Sequence, residues 1–147
     1  MSGFDVFDRA SYRANQWLDD LNAELGWEER YDAYIALRAV LQALRDVLPL
    51  EEVVDFGAQL PMVIRGFYYE GWTGAPPQDL ADRDLFIALV SDQLAEAFLA
   101  PDGEGVTRGV FRLLARRVSE GEIYHLGRRL PRPLRSLWPN GSLKKSS

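Results

Sequence analysis

Arginine is the side chain with the most chemistry to offer in this chain. Arg108, Arg112 and Arg116 recur every four residues, which puts their guanidinium groups on one face of a helix. Arg128, Arg129, Arg132 and Arg135 follow shortly after. Planar forks at that density suit the phosphates of a nucleic acid, a nucleotide or a lipid headgroup. The same residues also suit a solvated face that pairs with acids elsewhere in the fold. The aromatic run Phe67-Tyr68-Tyr69-Glu70-Gly71-Trp72 is the second candidate. Tyr and Trp combine large contact area with a polar tip, so the run could anchor a partner. It could instead close a core at a helix end, with Gly71 as the residue after the helix. Tyr69 and Trp72 are expected to be its exposed pair.

Catalytic and metal chemistry find less material. The chain has no cysteine, which excludes a disulfide scaffold, a thiolate zinc site and an iron–sulfur site. His125 is the only histidine and falls on the polar side of a short helix, where a titrating surface group is expected. Asp102-Gly103-Glu104-Gly105 lacks the spacing of a calcium loop and its distal glutamate. The pairs Asp19-Asp20 and Glu28-Glu29 read as capping and solvation, not as a general acid and base. Phosphate-binding glycine loop, nucleophile elbow and metalloprotease helix are all missing from the sequence. No cofactor and no metal are expected. The leading expectation is a non-enzymatic interaction or regulatory module that binds a protein or itself. The alternative is a binder of an anionic ligand or nucleic acid through the arginine-rich C-terminal region. An enzyme acting through carboxylates and tyrosines is the weakest reading.

Charge is unevenly spread. Residues 1–104 hold 7 arginines against 20 acids, and residues 105–147 hold 10 basic residues against 2 acids. Two oppositely charged segments can lie together in one fold, or an acidic half can meet the basic half of a second copy. An overall pI near 4.9 argues against general nucleic-acid binding. With 147 residues, 47% hydrophobic and 27% charged, the composition is globular and long enough for one core. A single domain over residues 1–141 is expected, with a polar tail over 142–147. No apolar run spans a bilayer, and Met1-Ser2-Gly3-Phe4-Asp5 lacks the regions of a signal peptide, so a cytoplasmic location is expected.

The elements that must position these residues are helices. Ala10, Ala14, Trp17, Leu18, Leu21 and Leu25 share a face, and Gly26 ends it. A longer helix begins near Glu28-Glu29, buries Leu37, Val40, Leu41, Leu44, Val47 and Leu48, and stops at Pro49. A short helix over about Glu51 to Gln59 turns Val53 and Phe56 inward, with Glu52 and Asp55 outward. Pro61 opens another through Ile64, Phe67 and Tyr68. Gly71 to Asp82 is a loop dense in turn formers. Asp82 or Asp84 caps a helix running through Phe86, Val90, Leu94 and Phe98. After the break at Pro101 come a stripe of Val110, Phe111, Leu114 and Val118, and a capping box at Ser119 and Glu122. Ile123, Leu126 and Leu130 then face inward, and Pro131 restarts a last short helix. The fold class is all-α: a compact orthogonal bundle of about eight helices.

The chain also reads as two copies of one unit, about 10–72 and about 82–141. A shift of 70 overlays residues 38–72 on 108–142 without a gap, with nine identities: Arg38/Arg108, Val40/Val110, Leu44/Leu114, Glu52/Glu122, Gly57/Gly127, Leu60/Leu130, Pro61/Pro131, Arg65/Arg135 and Gly71/Gly141. Chance gives about two in such a window. The matched Gly57 and Gly127 inside short helices suggest a close approach of another helix, because glycine there costs about 1 kcal/mol against alanine. The matched arginines suggest forks that hold helix-end carbonyls or the matched Glu52 and Glu122.

Ala58-Gln59-Leu60-Pro61 followed by Ile64-Arg65-Gly66-Phe67-Tyr68-Tyr69-Glu70-Gly71-Trp72 resembles the signature of a bacterial domain-of-unknown-function family, number twenty-two sixty-seven. Leu126-Gly127-Arg128-Arg129-Leu130-Pro131 with Leu134-Arg135-Ser136-Leu137-Trp138 resembles that family's repeated ending. The likeness covers about residues 10 to 139 and implies an all-helical bacterial protein. It brings no activity, substrate or cofactor. The second copy departs from the pattern where Tyr-Tyr-Glu-Gly-Trp becomes Trp138-Pro139-Asn140-Gly141-Ser142.

Overall fold

A computed structural model describes residues 5–75 and 82–139. The expected N-terminal start, half of the Gly71–Asp82 loop, Gly141 and the polar tail lie outside the described residues. Helix α1 (Asp5–Leu25) is followed by α2 (Arg30–Val47), α3 (Leu50–Gly57), α4 (Met62–Tyr69), α5 (Arg83–Glu96), α6 (Gly103–Arg117), α7 (Glu120–Arg129) and a closing 3-10 helix (Arg132–Leu137). No strand occurs among the described residues.

Local chemistry sets the boundaries. At the end of α1, Gly26 takes φ +72 and the Trp27 amide donates to the Asn22 carbonyl at 2.9 Å, closing the turn as expected. Asp82 is the cap of α5, accepting from the Asp84 and Leu85 amides at 2.7 and 3.2 Å. Ser119 caps α7 by accepting from the Glu122 amide. Pro49 and Pro61 stand immediately before α3 and α4, where a missing N–H costs nothing.

The apolar stripes meet in one core. α1 packs on α2, α6 and α4; α5 packs on α2 and α6; α3 packs on α7. Trp17, Leu21, Leu37, Leu41, Phe56, Tyr68, Phe86, Phe111, Leu126 and Trp138 belong to one buried cluster, so every helix contributes or borders on the same interior. The exception is the start of α1, where none of residues 5–13 is buried.

Elements also recur at the 70-residue offset. α3 begins at Leu50 and α7 at Glu120; α4 begins at Met62 and the 3-10 helix at Arg132. Individual bonds recur too. The Tyr68 hydroxyl donates to the Val53 carbonyl at 2.8 Å, and the Trp138 indole donates to the Ile123 carbonyl at 3.3 Å. Arg65 donates to Gly57 and Leu60 carbonyls at 2.9 and 2.8 Å; Arg135 donates to Leu130 and Arg128 carbonyls at 3.1 and 2.8 Å. These forks hold helix-end carbonyls, one of the two roles expected, and touch neither Glu52 nor Glu122.

Two burial expectations are corrected. Phe98 is not part of the α5 stripe. α5 ends at Glu96, and Phe98 takes φ +62 at 97% exposure, the position a glycine usually fills. The Leu99 amide reaches the Leu94 carbonyl at 2.9 Å across that turn, so the turn, not the stripe, decides where Phe98 points. Glu52 is not outward either; it is buried against α7, because α3 packs polar edge to polar edge there.

Candidate functional site

The predicted arginine stripe is where the two charge segments meet. Arg112 Nε lies 2.8 Å and Arg116 Nη2 3.3 Å from the Glu24 carboxylate on α1. Arg117 pairs with Asp20, its Nε at 2.8 Å. Arg108 bonds Glu104 at 3.1 Å and the Ser136 carbonyl at 3.0 Å. Hydrogen bonds from Arg108 and Arg83 hold the Glu104 carboxyl below the usual carboxylate range. These pairs are largely exposed, so each is worth little to stability, but they put carboxylates where an anionic ligand of the stripe would sit. The other candidates scatter. Arg128 lies over the Tyr124 ring at 6.0 Å, Arg129 bonds Glu52 at 3.2 Å, and Arg132 is exposed with no ion pair among the described residues.

The aromatic run closes the core. Tyr68 is fully buried, and burial pushes its hydroxyl well above the ordinary tyrosine range. Tyr69 and Trp72, expected as an exposed pair, are half-buried and pack against the core, 5.5 Å apart between ring centres. The physical reason lies at Gly57. A Cβ there would come within 2.7 Å of the Tyr69 ring carbon Cζ, so the missing side chain is what admits the ring. The close approach expected at Gly57 is therefore a side chain of α4. Burial raises the Tyr69 hydroxyl as well.

A polar row on α2, of which the sequence singles out Arg38 alone, holds this run in place. Gln42 Nε2 donates to the Phe67 carbonyl at 2.8 Å, and buried Arg45 donates to the Tyr68 and Glu70 carbonyls at 3.0 and 2.9 Å. Arg38 pairs with Glu70 at 2.9 Å. The last carbonyls of α4, which have no partner inside their own helix, are thus satisfied from α2.

The α3–α7 contact gathers the titratable groups. His125 Nε2 lies 2.9 Å from Glu52 Oε2, with Arg129 on the other carboxylate oxygen. Glu122 on the same contact is pushed up, first by burial and then by Glu52 and Asp55, with His125 opposing. His125 is therefore half-buried and hydrogen-bonded rather than free on the surface. Among the described residues, no group of three or more His, Asp or Glu could hold a metal ion, and no helix is long and apolar enough to cross a membrane.

An open cleft lies beside the turn between α3 and α4. It sits between Arg13, Gln16 and Trp17 of α1 and the turn Ala58–Met62, with Arg65 and Arg117 also lining it, and measures about 580 Å³. A neighbouring groove of about 510 Å³, shared with Arg13, Gln16, Pro61 and Met62, continues over Val6, Ala10 and Tyr12. Neither Arg13 nor Arg117 belongs to a recognisable motif, and the residues of the cleft come from four separate helices or turns. Leu60, Pro61 and Arg65, each matched at the 70-residue offset, stood out in the sequence.

No curated protein matches the chain. The repeated Leu-Pro turns with their arginine forks, the Tyr69 ring on Gly57 and the core residues other than Trp138 lie within the stretch from Ala14 to Leu137. Over those residues 14–137 the chain matches the model of the uncharacterised conserved proteins DUF2267, and it belongs to that family.

Proposed function

We propose that the protein is an interaction module, a helical unit present in two copies, which docks a protein partner through Phe98. One observation carries this reading: Phe98 is 97% exposed and stands at φ +62. A left-handed backbone costs a residue with a Cβ roughly 1–2 kcal/mol. The exposed ring returns no packing energy to the fold. A lone exposed apolar side chain is ordinary, but one that also sits on a strained backbone is not. Such outliers cluster at binding sites and clamps. An aromatic ring held clear of the surface on the α5–α6 turn fits an apolar pocket in another protein. The two-copy part rests on the paired bonds of Tyr68 and Trp138 and of Arg65 and Arg135. Anion binding by the arginine-rich C-terminal region draws less support, because Arg112, Arg116 and Arg129 already face carboxylates.

The test is Phe98→Gly. Glycine adopts the left-handed region freely, so thermal stability should rise while association is lost. Light scattering at low and high salt reads self-association, and a photo-crosslinking side chain at position 98 reads capture of another protein in the native cell extract. Undiminished association of Phe98→Gly, or a monomer with no crosslink from position 98, overturns the proposal.

A further inference from the structure

The cleft between α1 and the α3–α4 turn reverses the sign of the molecule. The chain carries 22 acids against 17 lysines and arginines, yet the cleft is lined by three arginines, Arg13, Arg65 and Arg117, and by the carboxamides of Gln16 and Gln59, with no acid among its lining residues. Two of the guanidinium groups are fixed from behind. Arg65 spends Nε and Nη2 on the Gly57 and Leu60 carbonyls, and Arg117 spends Nε and Nη2 on Asp20. In both, Nη1 carries no hydrogen bond among the described residues. Arg13 is exposed and has no hydrogen-bond or ion-pair partner among them.

The charge balance selects the ligand. Carbonyl dipoles leave the charge of Arg65 intact, nothing offsets Arg13, and only Arg117 faces a carboxylate. About two uncompensated positive charges remain, on Arg13 and Arg65, and the Arg65 fork is already immobilised, so less ordering is required there when a ligand arrives. A carboxylate offers one charge and two oxygens. A phosphate monoester offers up to two charges and three strong acceptor oxygens, which suits three guanidinium groups and two amides better. The adjoining groove supplies apolar surface from Val6, Ala10, Tyr12 and Met62 for whatever carries the phosphate.

We propose that Arg13, Arg65 and Arg117 form a binding site for a phosphate monoester dianion, borne by a free small molecule or by a phosphorylated side chain. The site lies in a different part of the chain from the Phe98 turn and stands or falls without it.

Calorimetric titration of the full chain at low ionic strength tests it, with inorganic phosphate, phenyl phosphate and a phosphoserine peptide as probes. Saturable binding of at least one is expected, weakened about tenfold by Arg13→Gln, the loss of one charge-assisted contact. Arg13 has no partner whose loss would unfold the chain. Arg132→Gln, which removes an exposed arginine elsewhere, should leave affinity unchanged. Preference for phenyl phosphate identifies a small ester as the source, and preference for the peptide identifies a modified protein; either upholds the site. No saturable binding of any probe, or equal weakening by Arg13→Gln and Arg132→Gln, overturns it.

Discussion

Arg65 and Arg135 are each predicted to hold a helix junction, and replacing either by alanine tests whether the shared fork stabilises the fold. Each guanidinium donates two bonds to main-chain carbonyls at 2.8–3.1 Å. The freed carbonyls can turn to water, so the value of an ordinary hydrogen bond applies rather than that of a charged one, about 1 kcal/mol per bond and about 2 kcal/mol per residue. For a chain of this size that lowers the melting temperature by about 4–8 °C in each single variant. The two forks share no partner, so the double variant should lose about 4 kcal/mol, a large part of the stability of an ordinary domain. Lysine keeps the charge but not the fork, and should recover no more than half of the loss. The acceptors are neutral, so the deficit should persist at high salt, whereas the exposed Arg112–Glu24 pair should fade there. Chemical denaturation at both salt levels reads all of this. If Arg65→Ala and Arg135→Ala both unfold at the wild-type midpoint, the forks contribute nothing to stability.

Gly57→Ala should destabilise the protein by about 1–3 kcal/mol, because a Cβ at 2.7 Å from Tyr69 Cζ forces the ring off its seat. A gain near 1 kcal/mol, as helix propensity alone would give, refutes that packing, and thermal melts decide the sign. Glu122→Gln should raise stability at neutral pH. Burial raises the folded carboxyl above its ordinary value, so the native state holds the proton more tightly, and stability falls as pH rises through that raised value. The advantage of Glu122→Gln should therefore shrink as pH drops below the ordinary glutamate range, where wild type is neutral too; melts across that range that run parallel would contradict it.

The helices were legible because each long apolar stripe keeps the 3.6-residue period and each end carries its own chemistry, Gly26 at one end and Asp82 or Ser119 at another. The arginine forks were half legible, since a residue matched at Arg65 and Arg135 points to a shared structural task without saying which acceptor it takes. Phe98 was missed because its spacing continues the stripe of Phe86, Val90 and Leu94, and periodicity has no term for a helix that stops one turn early without a glycine. Glu52 was missed for a related reason: an eight-residue helix that packs on a second short helix can bury a charged residue if His125 and Arg129 meet it. Tyr69 was misplaced because the space it fills belongs to Gly57, twelve positions earlier. The cleft was only partly legible: its turn Ala58–Pro61 stands out in the sequence, but nothing local ties that turn to Arg13 or Arg117. Arg13, Arg65 and Arg117 become neighbours only after the long-range packing of α1 on α4 and α6 is complete.

The first two turns of α1 extend past the interior, since burial begins only at Ala14. Short helical segments without tertiary support are marginal in water. Amide protons in that stretch should therefore exchange with solvent long before the bundle opens, as a separate, less protected unit. Arg13 sits where the supported and unsupported parts join, so a guest seated in the cleft would slow exchange back along the helix towards Val6. The loose end of the first helix thereby acts as a gauge, its deuterium uptake reporting occupancy of a cavity it partly walls.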